Sequence, residues 1–244
     1  MIEFYDEKGI ITPFCEDIGA DVAITVFSTH TYDELLRVTR AQPREVIRGG
    51  CDVEVCAFER GGKRIAVYKS PVGAPAATAT MEEVMVAGVK HVIAFGICGA
   101  LVKTPPHTFI VPDKAIRDEG TSYHYMPPTE YIDLPNSGRV NKLLNDIGIA
   151  TLVGGTWTTD GFYRETRTRA EQVKAAGCIA VDMECSALQV AANFRGKQFY
   201  TFFITADSLA EELWQPNDIL DLKATDSTTV AVGAAIKLAE ELGK

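Results

Sequence analysis

The sequence lacks an excess of positive charge. Its 24 Lys and Arg residues are outnumbered by 33 Asp and Glu residues, which gives a formal net charge of −9. Proteins that bind nucleic acids or anionic membranes need a basic surface to displace counterions or meet lipid charge. We therefore expect neither partner. An anionic small-molecule substrate would need a local binding site that attracts anions despite the negative overall charge.

Paired cysteines and long apolar runs are also missing. The six cysteines form no CxxC motif, and none stands at zinc-ligand spacing with the four histidines: Cys15, Cys51, Cys56, Cys98, Cys178 and Cys185. No apolar run is long enough to span a bilayer, and we expect no signal peptide. The composition favours a reduced, cytoplasmic protein without a metal site.

No internal repeat or low-complexity linker divides the 244 residues, so we expect one domain over 1–244. Apolar runs predict strands at 21–27, 91–96, 109–115, 150–156, 178–182 and 199–206, and a hairpin of 53–59 with 64–70. Helical spacing covers 33–38, 75–88, 138–147, 167–176, 184–194 and 227–242. This alternation predicts an α/β fold with a mostly parallel sheet covered on both faces.

In such folds ligands bind at the carboxyl ends of the strands, so the residues after each strand are the candidates for a site. Ser28 opens a hydroxyl-rich segment that either cradles an anion or caps the next helix. Gly96 and Cys98 belong to a Gly-rich turn that lets a ligand approach the backbone. Arg117 begins a segment dense in polar and aromatic groups, typical of a binding loop or of a solvated one.

Three later strand ends carry more specific chemistry. Phe162 and Tyr163 either stack on a flat heterocycle or pack in the core. Glu184, two residues after Asp182, either accepts hydrogen bonds from a vicinal diol or sits as an acid in the first turn of a helix. Asp207 ends an apolar strand, where burial would raise its pKa and make it a proton donor, or it caps the next turn. Together these groups suit cleavage of an N-glycosidic bond.

The order of these motifs resembles the nucleoside phosphorylase family that contains the hexameric purine nucleoside phosphorylases and the uridine phosphorylases. The resemblance rests on Gly73-Ala74-Pro75, Gly96-Ile97-Cys98-Gly99, Thr159-Asp160-Gly161-Phe162-Tyr163, Val181-Asp182-Met183-Glu184 and Ala206-Asp207. It implies a three-layer α/β/α fold with a mixed, distorted central sheet, assembled as dimers or a hexamer. It also implies a nucleoside and inorganic phosphate as substrates, with no other cofactor.

The resemblance also assigns roles. Glu184 is similar to the carboxylate that holds the ribose hydroxyls, with Met183 beside it, and Phe162 is similar to the aromatic residue against the base. Asp207 is similar to the acid that protonates N7 of a purine. Asp182, Tyr163, Gly96 and Cys98 complete the expected substrate-binding set.

Departures from the family pattern concern the phosphate. The family's Gly-Asp-Pro-x-Arg loop is replaced by the segment from Ser28 to Tyr32, and Ala94 and Ile97 stand where the family has Arg and Ser or Thr. Ser28, Arg48 and Arg117, with Arg44 as a further candidate, are the expected replacements.

The sequence leaves four functions open. Phosphorolysis of a purine ribonucleoside leads, because Asp207 is present while Thr166 and Thr168 replace the family's uracil-reading Gln and Arg. The alternatives are uridine phosphorolysis, phosphate-independent hydrolysis, and nucleoside binding without turnover.

Overall fold

The computed structural model describes residues 4–47, 52–217 and 226–242. Its strands are β1 (Val22–Val26), β2 (Gln42–Ile47), β3 (Val53–Arg60), β4 (Lys63–Lys69), β5 (His91–Ala100), β6 (Phe109–Asp118), β7 (Tyr131–Asp133), β8 (Thr151–Thr159), β9 (Cys178–Asp182) and β10 (Gln198–Ser208). Its helices are α1 (Thr29–Thr39), α2 (Ala74–Val86), α3 (Ser137–Asp146), α4 (Arg167–Ala175), α5 (Cys185–Phe194) and α6 (Asp226–Leu242), with 3-10 helices at Thr121–His124 and Phe162–Arg164.

The strands form one mixed sheet in the order β10-β6-β8-β9-β5-β1-β4-β3-β2, and β7 is added beside β6. β10 pairs with β5 as well as with β6, so β5, β9, β8, β6 and β10 close into a ring. The β5–β9 and β10–β6 pairs are antiparallel, whereas β1–β5, β10–β5, β6–β8 and β8–β9 are parallel. The sheet is therefore mixed and distorted, as the family resemblance implied, and most of these pairs are parallel, as the alternation of strands and helices predicted.

Helices cover both faces of the sheet. Met81 of α2 and Leu188 of α5 belong to one buried cluster. Leu35 of α1, Leu143 of α3 and Ala235 of α6 belong to a second cluster. This arrangement confirms the three-layer α/β/α architecture. Among the described helices, none combines the length and the apolar character needed to cross a membrane.

The largest local difference from the sequence prediction concerns the Gly-rich segment after residue 95. It was predicted to be a turn, but β5 continues through it to Ala100. β2 was not predicted, because Pro43 and mostly exposed polar residues hide its strand pattern. Helix α1 begins four residues earlier than predicted, since the Ser28 hydroxyl accepts a hydrogen bond from the Thr31 backbone N–H (3.5 Å).

Candidate functional site

The end of β5 brings two distant parts of the chain together. Gly99 pairs with Val181 of β9 on one side and with Asp207 of β10 on the other. A Cβ on Gly99 would lie 2.7 Å from Val181 Cγ1 and 3.3 Å from Asp207 Oδ1. Glycine is required here because the Val181 side chain occupies the space that a Cβ would need. The consequence is that the carboxyl ends of β9 and β10, with their acids, lie beside the same strand.

Glu184 lies directly after β9, where the chain turns into α5. Its carboxylate Oε1 accepts a hydrogen bond from the Gly73 backbone N–H (2.6 Å), at the start of α2. Glu184 is buried, and burial raises its pKa to about 8, helped by the negative charge of Asp182. At neutral pH this group is therefore largely a neutral carboxylic acid, able both to donate and to accept a hydrogen bond.

Asp182 is held entirely by the protein. Its Oδ1 accepts hydrogen bonds from the hydroxyls of Thr156 and Thr158, both at 2.9 Å. Its Oδ2 accepts from the backbone N–H groups of Glu184 (2.8 Å) and Cys185 (2.6 Å), at the start of α5. Burial raises the Asp182 pKa, and these four donors oppose that shift. Asp182 therefore fixes the backbone that presents Glu184, and its own oxygens are occupied.

Asp207 is buried near the end of β10. The Trp214 indole Nε1 donates a hydrogen bond to its Oδ2 (2.7 Å). Burial raises the Asp207 pKa, while the Trp214 hydrogen bond opposes the rise. A desolvated carboxyl group with a raised pKa is suited to deliver a proton. Trp214 was not identified from the sequence, because it lies in a polar segment seven residues further along the chain.

Glu165 is a second titratable group beside Asp207 that sequence reasoning gave no role. It follows the 3-10 helix at Phe162–Arg164, and burial together with the charge of Asp207 raises its pKa to about 7. A share of Glu165 is therefore protonated near neutral pH, mainly because the group is buried. The sequence contains only a weak signal for this pairing, an acid in an aromatic loop.

The aromatic pair lies in the 3-10 helix at Phe162–Arg164, after β8. The rings of Phe162 and Tyr163 meet edge to face, with centroids 5.0 Å apart. Phe162 is 40% exposed and Tyr163 is 93% exposed, so neither ring is packed in the core. This excludes the core-packing alternative. Met183, between Asp182 and Glu184, is partly buried.

Gly96 and Cys98 lie within β5. A Cβ on Gly96 would lie 3.0 Å from the Phe27 ring, so this glycine makes room for Phe27. Cys98 is buried, and burial raises its thiol pKa well above the usual value, with further contributions from the charges of Asp182 and Asp207. The thiol therefore lies near both acids in its protonated form and is not a nucleophile.

The predicted phosphate-binding residues have different roles in the structure. Ser28 caps α1, and the first turn of that helix contains no acidic residue. Arg117 is buried, and its guanidinium donates to Ser122 Oγ (2.9 Å), Thr129 Oγ1 (2.8 Å) and two backbone carbonyls. It also stacks on Tyr123. Arg117 thus stabilises its own loop, which corrects its expected role. Arg48 lies outside the described residues.

A cation that sequence reasoning missed lies beside Ser28. Lys69 ends β4, which pairs in parallel with β1, and its Nζ donates to Thr29 Oγ1 (3.0 Å). On β5, which pairs with the other side of β1, the residues at the family's phosphate positions are apolar: Ala94 is buried and Ile97 is 55% exposed. Lys69 lies near the end of the predicted strand 64–70, but the sequence does not show that this strand pairs with β1. Its position beside the start of α1 could therefore not be predicted.

The described residues include no group of three or more His, Cys, Asp or Glu side chains able to hold a metal ion.

The chain is similar to several known proteins. The family model described as "Phosphorylase superfamily" matches residues 21–242. A "Purine nucleoside phosphorylase DeoD-type" from Bacillus cereus is 27% identical over 153 residues, which cover 61% of this chain and 65% of that protein. The protein of the same name from Bacillus thuringiensis (strain Al Hakam) matches to the same extent. The aligned region thus spans slightly less than two thirds of these relatives.

A solved structure shares the fold. The crystal structure of purine nucleoside phosphorylase from Toxoplasma gondii in complex with immucillin-H superposes with a TM-score of 0.73 and 19% sequence identity, covering 92% of this chain and 93% of that one. At this identity the similarity supports the architecture alone.

Proposed function

The chain belongs to the phosphorylase superfamily, and from that premise we propose that it cleaves the N-glycosidic bond of a purine ribonucleoside with inorganic phosphate as the acceptor. The observation that carries this proposal is the placement of Glu184 and Asp207 at the ends of two strands that flank Gly99. One acid suits the sugar and the other suits the leaving base. The relatives named as purine nucleoside phosphorylases support the choice of substrate class.

Asp207 acts as the general acid. Negative charge develops on the base as the glycosidic bond breaks, and a proton delivered to N7 of a purine neutralises it. The raised pKa of Asp207 keeps a share of the group protonated closer to neutral pH than an ordinary aspartic acid. A well-placed general acid contributes about 10²- to 10⁴-fold to the rate.

Glu184 and the aromatic pair orient the nucleoside. Glu184 meets the 2′ and 3′ hydroxyls of the ribose, and Met183 lies against the apolar face of the sugar. The exposed ring of Phe162 stacks on the base. As the bond lengthens, the ribose gains oxocarbenium character, and this fixed geometry holds C1′ open to attack.

Phosphate attacks from the β1 side of the site. The first turn of α1, the Ser28 cap and the Lys69 ammonium group form the positive surface there. A phosphate oxygen forms the bond to C1′ while the C1′–N9 electron pair passes to the base, which takes the proton from Asp207. Asp207 recovers its proton from solvent, and the products are the free purine and ribose 1-phosphate.

Hydrolysis is the second candidate, and Ala94 and Ile97 are the observation that favours it. Apolar residues at these positions hold phosphate less tightly than the arginine and hydroxyl of the family pattern. Water would then replace phosphate at C1′, with Asp207 and Glu184 in unchanged roles.

We also infer that the chain forms a homo-oligomer. Ile10, Ile11 and Phe14 in the N-terminal segment are 105%, 91% and 81% exposed, an apolar surface that a second subunit would cover. Size-exclusion chromatography with light scattering measures the assembly, and a monomer at every concentration would contradict this inference.

One assay separates the functions. The protein is incubated with inosine, adenosine, guanosine or uridine, with and without phosphate, and free base is measured. Phosphate-dependent release from the purine nucleosides is the expected result. Release without phosphate would favour hydrolysis, release from uridine would favour the pyrimidine, and saturable binding without release would contradict enzymatic function.

A further inference from the structure

The segment that follows Asp207 is fastened at four places. Ser208 and Gln215 exchange two backbone hydrogen bonds of 2.9 Å and close the segment at its base. The Leu209 N–H donates to the Ala100 carbonyl (2.8 Å) at the end of β5. Trp214, just before the closure, donates its indole N–H to Asp207 Oδ2. We call residues 208–215 the acid loop.

Arg167 is the fourth fastening. It is the first residue of α4, and its guanidinium donates Nη1–H to the Leu209 carbonyl (2.7 Å) and Nη2–H to the Glu212 carbonyl (3.1 Å) and the Glu211 carbonyl. The carboxylate of Glu171 lies 4.0 Å away, a weak contact by comparison. A planar guanidinium can satisfy several carbonyls at once, which an ammonium group cannot do with the same geometry.

We propose that Arg167 is a positioning residue that clamps the acid loop, so that Trp214 holds Oδ2 of Asp207 and leaves Oδ1 to carry the proton toward the base. A carboxylic acid bears its proton on one oxygen, and a fixed N–H donor at Oδ2 disfavours the proton there. This inference deepens the proposed function and rests on it for the catalytic consequence. The clamp itself does not depend on any substrate.

The groups that face Asp207 come from three elements. Glu165 precedes Arg167 by two residues on the α4 side, Cys98 lies on β5, and Trp214 lies on the acid loop. Glu165 repels the Asp207 carboxylate, Cys98 is a neutral thiol, and Trp214 favours the charged form. Loss of the Trp214 contact should therefore raise the pKa of Asp207 and extend activity to higher pH, even as the rate falls.

The test uses the two tryptophans of the chain, Trp157 and Trp214, labelled with 5-fluorotryptophan and observed by ¹⁹F NMR. Trp157 is buried and donates to Asp118, so its signal reports the fold. In the wild type we expect the Trp214 signal to shift with pH as Asp207 titrates. In Arg167→Met we expect that signal to move toward free 5-fluorotryptophan and to lose its pH response, with the Trp157 signal unchanged.

The matched control is Lys174→Met, which removes another cation of α4 whose partner is the exposed Glu171. In Lys174→Met, the ¹⁹F signals of Trp157 and Trp214 and the turnover rate should stay at wild-type values. With purine nucleosides, kcat of Arg167→Met should fall about tenfold to hundredfold, a part of what a general acid contributes, while KM changes little.

A wild-type Trp214 signal with its pH response intact in folded Arg167→Met would overturn the clamp. If Arg167→Met does not fold, Arg167→Lys decides instead: the N–H donors of an ammonium group lie on one atom and cannot match the two nitrogens of the planar guanidinium, so the Trp214 signal should be displaced, and an undisplaced signal would overturn the proposal. If the wild type releases no base, the proposed function fails, but the ¹⁹F signals still decide whether Arg167 holds the loop.

Discussion

Replacing Glu184 by glutamine should raise the free energy of unfolding at alkaline pH and weaken the binding of ribose. The glutamine Oε1 can still accept the hydrogen bond from the Gly73 N–H, so the contact between α5 and α2 is kept. What changes is the free-energy cost of burying a negative charge beside Asp182, because glutamine cannot ionise. The substitution therefore separates the electrostatic property of this position from its shape.

The magnitude follows from the pKa of Glu184, raised from 4.5 to about 8 mainly by burial. Between these two values the unfolded chain has lost the proton while the folded chain still binds it, so the free energy of unfolding falls as pH rises through this window. At about 1.36 kcal/mol per pKa unit, the full effect is roughly 5 kcal/mol. Glutamine does not titrate, so the variant avoids this loss.

Urea unfolding of both proteins, at one protein concentration and at pH 5.5 and 8.5, measures the effect. The stability advantage of Glu184→Gln over the wild type should grow by roughly 3 kcal/mol between these conditions. Glu130→Gln, which changes an exposed glutamate, serves as the control and should show no such trend. Parallel pH dependence of Glu184→Gln and the wild type would refute a buried, proton-retaining Glu184.

Three further predictions test other parts of the site. Lys69→Met should raise KM for phosphate about tenfold with little change in KM for the nucleoside, since its ammonium group lies beside the α1 N-terminus; an unchanged phosphate KM would remove Lys69 from the binding surface. Ribonucleosides should exceed 2′-deoxyribonucleosides in kcat/KM by about tenfold, because Glu184 loses one hydroxyl partner, about 1–1.5 kcal/mol; equal values would contradict a diol contact. Asp182→Ala should lower the free energy of unfolding by about 2–4 kcal/mol, since alanine leaves the buried Glu184 and Cys185 N–H groups without their acceptor, and denaturant midpoints near the wild-type value would show that these bonds matter little.

Much of the fold could be predicted from the sequence because buried strands and amphipathic helices have distinct periods. β9 was predicted with its observed bounds, and α4 and α5 to within one residue at each end. The Gly-rich segment of β5 was misjudged, because a glycine that makes room for neighbouring side chains looks the same in sequence as one that forms a turn. Only the pairing of Gly99 with both β9 and β10 shows the difference.

The candidate site likewise contains residues that could be predicted from the sequence and residues that could not. Glu184 and Asp207 stand at strand ends that local patterns reveal, so both could be named. The partners of Asp207 could not, because Trp214 and Glu165 lie in loops whose paths no local sequence pattern reveals. The prediction of Arg117 as a phosphate-binding residue failed for a related reason. Whether an arginine faces a ligand or its own loop depends on the positions of nearby carbonyl groups, which no local sequence pattern encodes.

The most direct test of the central claim is the rate of free purine release from inosine with phosphate, measured for the wild type and for Asp207→Asn. The account predicts release by the wild type and a loss of about 10²- to 10⁴-fold in kcat for the variant, with the fold intact by circular dichroism. Equal rates for the two proteins, or no release by the folded wild type, would contradict it.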